Sequence, residues 1–213
     1  WLGDAFLVSD MTIYNFNAAL FWTKFIRDIE TSRRGGIPDN IAPGRRKGGK
    51  DPDWGAAFIQ LPYNLFLYYN DTSIIKEHYK GMKYFMDHLQ KTADNNIIAK
   101  GIGSLFSPGR IMPKETPREF TSTALFYFCS SIMAYMAKAT GKNEDAEHFL
   151  LLAKNIKKAF NDRFYNPKEK TYGGQEKNTL ALSWGLVPEN DIKAVAKDLN
   201  RYVTEVHNGH IST

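Results

Sequence analysis

Apolar residues recur at steps of three and four in nearly every long segment of this 213-residue chain. This spacing places them on one face of an α-helix, whereas a half-buried strand would show strict alternation. Because no segment alternates convincingly, we predict an all-α protein with about seven helices. We place the helices at residues 4–30 (one helix or a pair), 54–69, 73–92, 121–139, 144–164, 176–184 and 191–206.

The connections between these helices are alternately short and long. Residues 36–53 and 95–119 are rich in glycine and proline. Both exceed the roughly 12–15 residues beyond which loops in compact domains are often functional. We expect Pro62 to kink the 54–69 helix or to begin its second half. Helix pairs joined in this way are compatible with a helical toroid, the (α/α)6 barrel. An irregular helical bundle remains open, and a repeat solenoid is disfavoured because no fixed period is present.

Composition excludes several classes of protein. Hydrophobic residues make up 43% and charged residues 24%, which is typical of a globular domain rather than a disordered chain. The net charge of +5 is scattered apart from Arg45-Arg46-Lys47, so no basic helix face predicts nucleic-acid binding. No apolar stretch approaches the roughly 20 residues of a membrane span. The single cysteine, Cys129, lies in an apolar run and is expected to be a buried, inert thiol.

Histidine and serine residues form no recognisable catalytic motif. His207 and His210 are a pair without a third ligand nearby, which is weak support for a metal site. The sequence contains no Gly-x-Ser-x-Gly nucleophile elbow and no phosphate-binding Gly-x-x-x-x-Gly-Lys. We therefore expect neither a cofactor nor a bound metal.

Two short segments combine an aromatic ring with carboxylates. One contains Trp1 and Asp4, and the other runs from Asp51 to Trp54. A ring can stack on the apolar face of a sugar, while a carboxylate accepts hydrogen bonds from its hydroxyl groups. We expect Gly3 to allow a sharp turn that brings Trp1 and Asp4 towards one cleft. The alternative for Asp4 is an N-cap at the start of the first helix.

Other aromatic residues divide into two groups. Those that lie at helix starts or in loops, and so could face a ligand, are Phe106, Tyr172 and Trp184. Those expected to fill the core are Tyr14, Phe21, Phe85 and Phe126.

A series of short motifs runs along the chain in a fixed order. They are Trp1-Leu2-Gly3-Asp4-Ala5, Tyr14-Asn15-Phe16-Asn17, Gly36-Ile37-Pro38, Trp54-Gly55-Ala56-Ala57, Tyr69-Asn70-Asp71, Thr121-Ser122-Thr123-Ala124, Ala139-Thr140-Gly141-Lys142, Phe164-Tyr165, Gly185-Leu186-Val187-Pro188 and Gly209-His210-Ile211-Ser212-Thr213. Each is weak alone, but the ordered series spans nearly the whole chain. It resembles the catalytic domain of bacterial α-L-rhamnosidases, glycoside hydrolase family 78.

This resemblance implies an (α/α)6 barrel and the hydrolysis of terminal α-L-rhamnosides with inversion. Inversion needs a general acid and a general base, two carboxyl groups held roughly 6.5–9.5 Å apart. In the family's pattern the acid lies before the Trp1 segment and the base after the segment that ends at Thr213. We therefore expect this chain to be a fragment of one catalytic domain, inactive alone, with the remaining parts of that domain as its partner.

The same resemblance implies a ligand and the residues that contact it. Asp4 resembles the residue that hydrogen-bonds rhamnose hydroxyls, and Trp1 and Trp54 resemble the rings that line the pocket. The expected partner is a rhamnose-containing glycan or glycoside, and a periplasmic or extracellular enzyme is expected. Two departures from the family pattern, Ser104-Leu105 and Ala56, are expected to alter the pocket wall.

Two other functions are known for helical toroids. A non-catalytic carbohydrate-binding or scaffold module on a helical toroid remains the alternative, and it predicts sugar binding without turnover. A terpene-cyclase or prenyltransferase toroid is disfavoured because the chain contains neither Asp-Asp-x-x-Asp nor Asp-x-Asp-Asp.

Overall fold

The computed structural model describes residues 1–44, 49–104, 111 and 116–211. Within these residues the regular structure is helical, no strand is formed, and three isolated β-bridges close short turns. The all-α prediction is therefore confirmed. The helices are α1 (Leu2–Asn15), α2 (Ala19–Ser32), α3 (Pro52–Gly55), α4 (Ala57–Tyr69), α5 (Ser73–Thr92), α6 (Arg118–Ala139), α7 (Asn143–Phe164), α8 (Gln175–Ser183) and α9 (Ile192–Arg201), followed by a π-helical turn (Tyr202–Val206).

Two of the predicted helices are divided. The first predicted helix is the pair α1 and α2, as one of the two alternatives proposed. The 54–69 segment is broken at Ala56 and not at Pro62, which lies inside α4. The alternative that Pro62 begins the second half is therefore wrong, while a kink at Pro62 stays a prediction. The break separates the single turn of α3, which carries Trp54, from the longer helix that follows.

The junction between α4 and α5 follows standard capping chemistry. Asn70 adopts the left-handed conformation, with φ 53°, and closes α4. The Asp71 carboxylate then accepts a hydrogen bond of 2.8 Å from the Ser73 N–H, one of the free donors at the start of α5. Local side-chain chemistry therefore fixes the start of α5 at the residue that the sequence predicts.

Helices α1 to α5 form a compact unit, Trp1–Thr92, together with Leu125–Ala153 from α6 and α7. In this unit α4 packs against α1, α2 and α5. The residues at its centre are at most 1% exposed: Ile26, Ile29, Phe58, Ile59, Leu61, Leu65, Ile75 and Phe85. Burial of each such side chain contributes about 1.5–3 kcal/mol. This core holds α1 and α3, the elements that carry Trp1, Asp4 and Trp54.

One face of α1 and the start of α2 remain exposed. Tyr14 is 74% exposed and Phe21 is 61% exposed, so the prediction that they fill the core is wrong. Periodicity identifies a helix face but does not say what covers it, and α1 buries mainly its small residues Gly3, Ala5 and Ser9. Phe85 and Phe126 are buried, as predicted.

The second unit comprises Ala93–Ala124 and Lys154–Thr213. Four aromatic side chains pack together in it: Phe120, Phe160, Phe164 and Tyr172. Tyr172 is buried and donates a hydrogen bond of 2.6 Å to Asn161 Oδ1, so it is a core residue and not a ligand-facing ring. Trp184 is half-buried, and Phe106 lies outside the described residues.

Helix α6 is more apolar than predicted from the sequence. Its 22 residues include a window of mean hydropathy 1.2, which meets the length and composition of a membrane span, so the prediction that no stretch approaches one is wrong. However, 72% of that window is buried within the protein, as in a core helix of a globular domain. Cys129 lies in this helix, and burial raises the pKa of its thiol to about 12. The prediction of a buried, inert thiol is confirmed.

Candidate functional site

Trp1 and Asp4 lie at the beginning of α1. Trp1 occupies the N-cap position and is 57% exposed, and Asp4 is an exposed residue of the first turn. Residues three apart on a helix are neighbours, so the indole and the carboxylate share one side of α1. The N-cap alternative for Asp4 is not found, because its carboxylate makes no capping bond. A negative charge in a first turn is nevertheless favourable, since it faces the positive end of the helix dipole.

The Asp4 carboxylate has no hydrogen-bond or ion-pair partner among the described residues. Some other acidic groups of the same unit are occupied, as Glu77 is by Arg27 and Asp39 by Arg34. An unpaired carboxylate beside an exposed ring is available to a polar ligand with an apolar face. That combination matches the chemistry of a sugar.

Gly3 brings the start of α1 against Trp54. A Cβ atom at residue 3 would lie 2.4 Å from Trp54 Cε2, a separation too short for any real contact. The absence of a side chain therefore leaves the space that the indole occupies. The expectation that Gly3 forms a sharp turn is wrong, because Gly3 lies inside α1. Its effect is still to join the two segments that contain the aromatic and acidic residues.

Trp54 is half-buried, with its Nε1 atom covered and without a hydrogen-bond acceptor among the described residues. The two carboxylates near it have internal roles. Asp53 is buried and its Oδ1 accepts a bond of 3.1 Å from the Trp54 N–H. Asp51 faces Asn40. Of the second predicted segment, the structure thus places the ring of Trp54, and not its acids, beside the Trp1 and Asp4 turn.

Asn40 connects these two segments, although it was not among the residues predicted from the sequence. Its carbonyl oxygen accepts the Leu2 N–H at 2.9 Å. Its side chain donates from Nδ2 to Asp51 Oδ2 at 2.6 Å and accepts the Asp51 N–H on Oδ1 at 2.8 Å. Asn40 is only 1% exposed. No spacing or motif reveals it, since a buried asparagine in a long loop looks the same in sequence as an exposed one.

The two predicted departures in the pocket wall have different surroundings. Ala56 is fully buried between α3 and α4, so it does not present a surface to a ligand. Ser104 is a half-buried residue of the second unit. Leu105 lies outside the described residues, as does the basic cluster Arg45-Arg46-Lys47.

Elsewhere in the described part of the chain, other polar clusters do not form a comparable site. Among the described residues, no group of three or more His, Cys, Asp or Glu side chains is placed to hold a metal ion. The second unit has a surface depression of about 360 Å³ lined by side chains of both charges, among them Lys168, Lys197 and Arg201. Its acidic group Asp198 is already occupied by Thr171, Asn178 and Arg201.

Comparison with known proteins identifies the family. Residues 1–213 match the model of the bacterial alpha-L-rhamnosidase 6 hairpin glycosidase domain. The chain belongs to this family. The expected fold class, all-α and part of an (α/α)6 barrel, is thereby confirmed, because this α-L-rhamnosidase domain is built from six helical hairpins.

Individual α-L-rhamnosidases agree with the family match. An alpha-L-rhamnosidase of Formosa agariphila is 31% identical over 235 residues, which cover 100% of this chain and 25% of the relative. The alpha-L-rhamnosidase structure from Dictyoglumus thermophilum superposes with a TM-score of 0.95 at 33% identity, covering 100% of this chain and 25% of that one. The Streptomyces avermitilis alpha-L-rhamnosidase complexed with L-rhamnose gives a TM-score of 0.91 at 28% identity, covering 100% and 20%. The chain therefore spans about a quarter of the length of these relatives.

Proposed function

We propose that this chain is the central part of an enzyme that hydrolyses terminal α-L-rhamnosides. The observation that carries the proposal is the exposed carboxylate of Asp4, which has no partner among the described residues and shares one side of α1 with the exposed ring of Trp1. Trp54 packs against the same helical turn through Gly3. In this proposal Asp4 accepts hydrogen bonds from rhamnose hydroxyls, and the two indole rings line the apolar part of the pocket.

The proposed mechanism is inverting and uses two carboxyl groups outside this chain. A general acid that precedes Trp1 protonates the leaving oxygen, and a general base that follows Thr213 activates water on the opposite face of the sugar. The residues of this chain hold and orient the ring between those two groups. Because neither group is present in it, the chain alone is expected to bind the sugar weakly and to cleave nothing.

The test uses the full-length enzyme that contains this chain and a chromogenic α-L-rhamnoside. We expect Asp4→Ala to lower kcat/KM by about 100-fold, because hydrogen bonds to a charged group contribute about 1.5–3 kcal/mol each. Asp162→Ala is the matched control, since Asp162 is an exposed surface carboxylate paired with Lys158, and it should leave kcat/KM unchanged.

Two other outcomes would change the proposal. Full activity in a folded Asp4→Ala enzyme would remove Asp4 from the sugar site. A folded parent that binds L-rhamnose but turns over no rhamnoside would support a carbohydrate-binding module instead. Melting curves of each variant distinguish these outcomes from simple unfolding.

A further inference from the structure

The three residues assigned to the sugar lie on two elements that are far apart in sequence. Trp1 and Asp4 belong to the start of α1, and Trp54 belongs to α3, about fifty residues later. Their use as one pocket requires a fixed spacing between these elements. The packing of Trp54 on Gly3 does not fix the relative position of the two elements, because van der Waals contact lets an indole slide over a flat backbone. Directional bonds must come from elsewhere.

Asn40 supplies those directional bonds to both elements. Its main-chain oxygen holds the Leu2 N–H at 2.9 Å, one of the donors that a helix start leaves without an internal partner. Its side chain forms the reciprocal pair with Asp51, the residue that immediately precedes α3. We refer to these bonds, from Leu2 through Asn40 to Asp51, as the Asn40 link.

The side-chain half of the Asn40 link has specific chemical requirements. One atom must donate to the Asp51 carboxylate, and another must accept from the Asp51 N–H, at distances of 2.6 and 2.8 Å. A carboxamide does both, and a carboxylate of the same shape cannot donate. The carboxylate of Asp51 is engaged here and makes no capping bond to α3. The Asn40 carboxamide and the Asp51 carboxylate therefore bind each other and join the loop to α3.

We propose that Asn40 is a positioning residue for the sugar site, which sets the spacing between the Trp1–Asp4 turn and Trp54. The inference rests on the proposed function of these residues. Asn40 is buried and acts through Leu2 and Asp51, without touching the sugar. A change in the Asn40 link should weaken sugar binding without removing any group that contacts the ligand.

The decisive experiment compares single and exchanged variants of the pair in the full-length enzyme. Asn40→Asp sets two carboxylates against each other and is expected to lower kcat/KM for the chromogenic rhamnoside by roughly 10- to 100-fold, as for a displacement of about 1 Å. We expect KM and the dissociation constant of L-rhamnose to rise, with kcat little changed. Tryptophan fluorescence measures the binding of L-rhamnose. The double variant Asn40→Asp with Asp51→Asn exchanges donor and acceptor, and it should restore kcat/KM to within about threefold.

Two further variants test whether the change in KM comes from misfolding or from the added charge alone. Asn40→Ser removes the side-chain bonds without adding charge, and it should raise KM in the same direction if Asn40→Asp fails to fold. Asn95→Asp is the matched control, since Asn95 donates to Asp94 at 3.0 Å in an exposed contact of the other unit. It should change neither KM nor L-rhamnose binding.

The outcomes separate this inference from the proposed function. If Asp4→Ala abolishes activity while folded Asn40 variants keep their KM and their affinity for L-rhamnose, the positioning role is overturned and the function stands. A folded double variant that remains as impaired as Asn40→Asp also overturns it. If the folded full-length enzyme turns over no rhamnoside, the proposed function itself fails, whereas full activity in a folded Asp4→Ala enzyme removes Asp4 from the sugar site and overturns the positioning role with it.

Discussion

Gly3 occupies a place where the protein has no room for a methyl group. A β-carbon there would come within 2.4 to 2.8 Å of three atoms of the Trp54 indole. In an isolated helix alanine would be favoured over glycine by about 1 kcal/mol. Here the steric conflict reverses that preference, because overpacking costs about 1–3 kcal/mol.

We therefore predict that Gly3→Ala displaces Trp54 and raises KM for the rhamnoside about tenfold, as expected for a shifted binding wall. The measurement is steady-state kinetics of the full-length enzyme, with a shift of tryptophan emission as a second readout. Circular dichroism checks that the variant is folded. An unchanged KM in a folded variant would show that Trp54 does not line the pocket.

Residue types alone indicated three residues of the candidate site. Trp1, Asp4 and Trp54 stand out in sequence because rings and carboxylates within a few residues of each other suit a sugar. Asn40 could not be found in this way, since its importance comes from burial and from two partners in distant segments. Tyr172 was predicted to face a ligand because it follows a turn in sequence. It is instead buried in an aromatic cluster, which the local sequence does not reveal.

Among the helices, the boundaries predicted from the sequence were most accurate where capping residues flank a regular apolar stripe. α5 begins and ends at the predicted residues, and α7 begins one residue early. The boundary between α3 and α4 was misplaced because Pro62 resembles a break whereas Ala56 resembles helix interior. What fixes α3 is its contact with Gly3 and the Asn40 link, and no local pattern encodes either of them.

Asp145 joins the first turn of α7 to α5. Its carboxylate accepts a bond of 2.9 Å from the Tyr79 hydroxyl and pairs with Lys83. Partial burial alone would raise the pKa of Asp145, but the bonds from Lys83 and Tyr79 outweigh it and hold the pKa below its ordinary value. A depressed pKa means that this carboxylate stabilises the fold at neutral pH.

We predict that Asp145→Asn destabilises the fold by about 1–2 kcal/mol near pH 7. The difference from wild type should be constant above about pH 5, and it should shrink as the pH falls through the lowered pKa, where the wild-type carboxylate is protonated. Thermal unfolding midpoints between pH 3 and pH 7 test this, with the exposed Asp162→Asn as control. A difference that persists undiminished at pH 3 would contradict the assignment.

At the scale of the whole molecule, the exposed apolar residues of α1 and α2 stand out. Leu7 is 76% exposed, Leu20 is 85% exposed, and Met11 and Tyr14 lie on the same stretch. Large apolar side chains exposed on two successive helices promote association in water. The chain spans about a quarter of the length of its relatives, and we expect further protein of the full-length enzyme to cover this surface.

We predict that the 213-residue chain, produced alone, self-associates and binds a hydrophobic dye. Leu7→Lys combined with Leu20→Lys should reduce both effects, while Leu150→Lys, at an exposed leucine of α7, serves as a control for added charge. Analytical ultracentrifugation and dye fluorescence provide the measurements. A monomeric chain without dye binding would show that this surface does not drive association.

The burial of Cys129 gives the chain a property that a protein chemist can use directly. This segment contains a single thiol, and that thiol is shielded inside α6 with a pKa of about 12. A cysteine introduced at an exposed position, such as Leu7→Cys one turn beyond Asp4, can therefore be labelled selectively with a maleimide dye, without first removing the native residue.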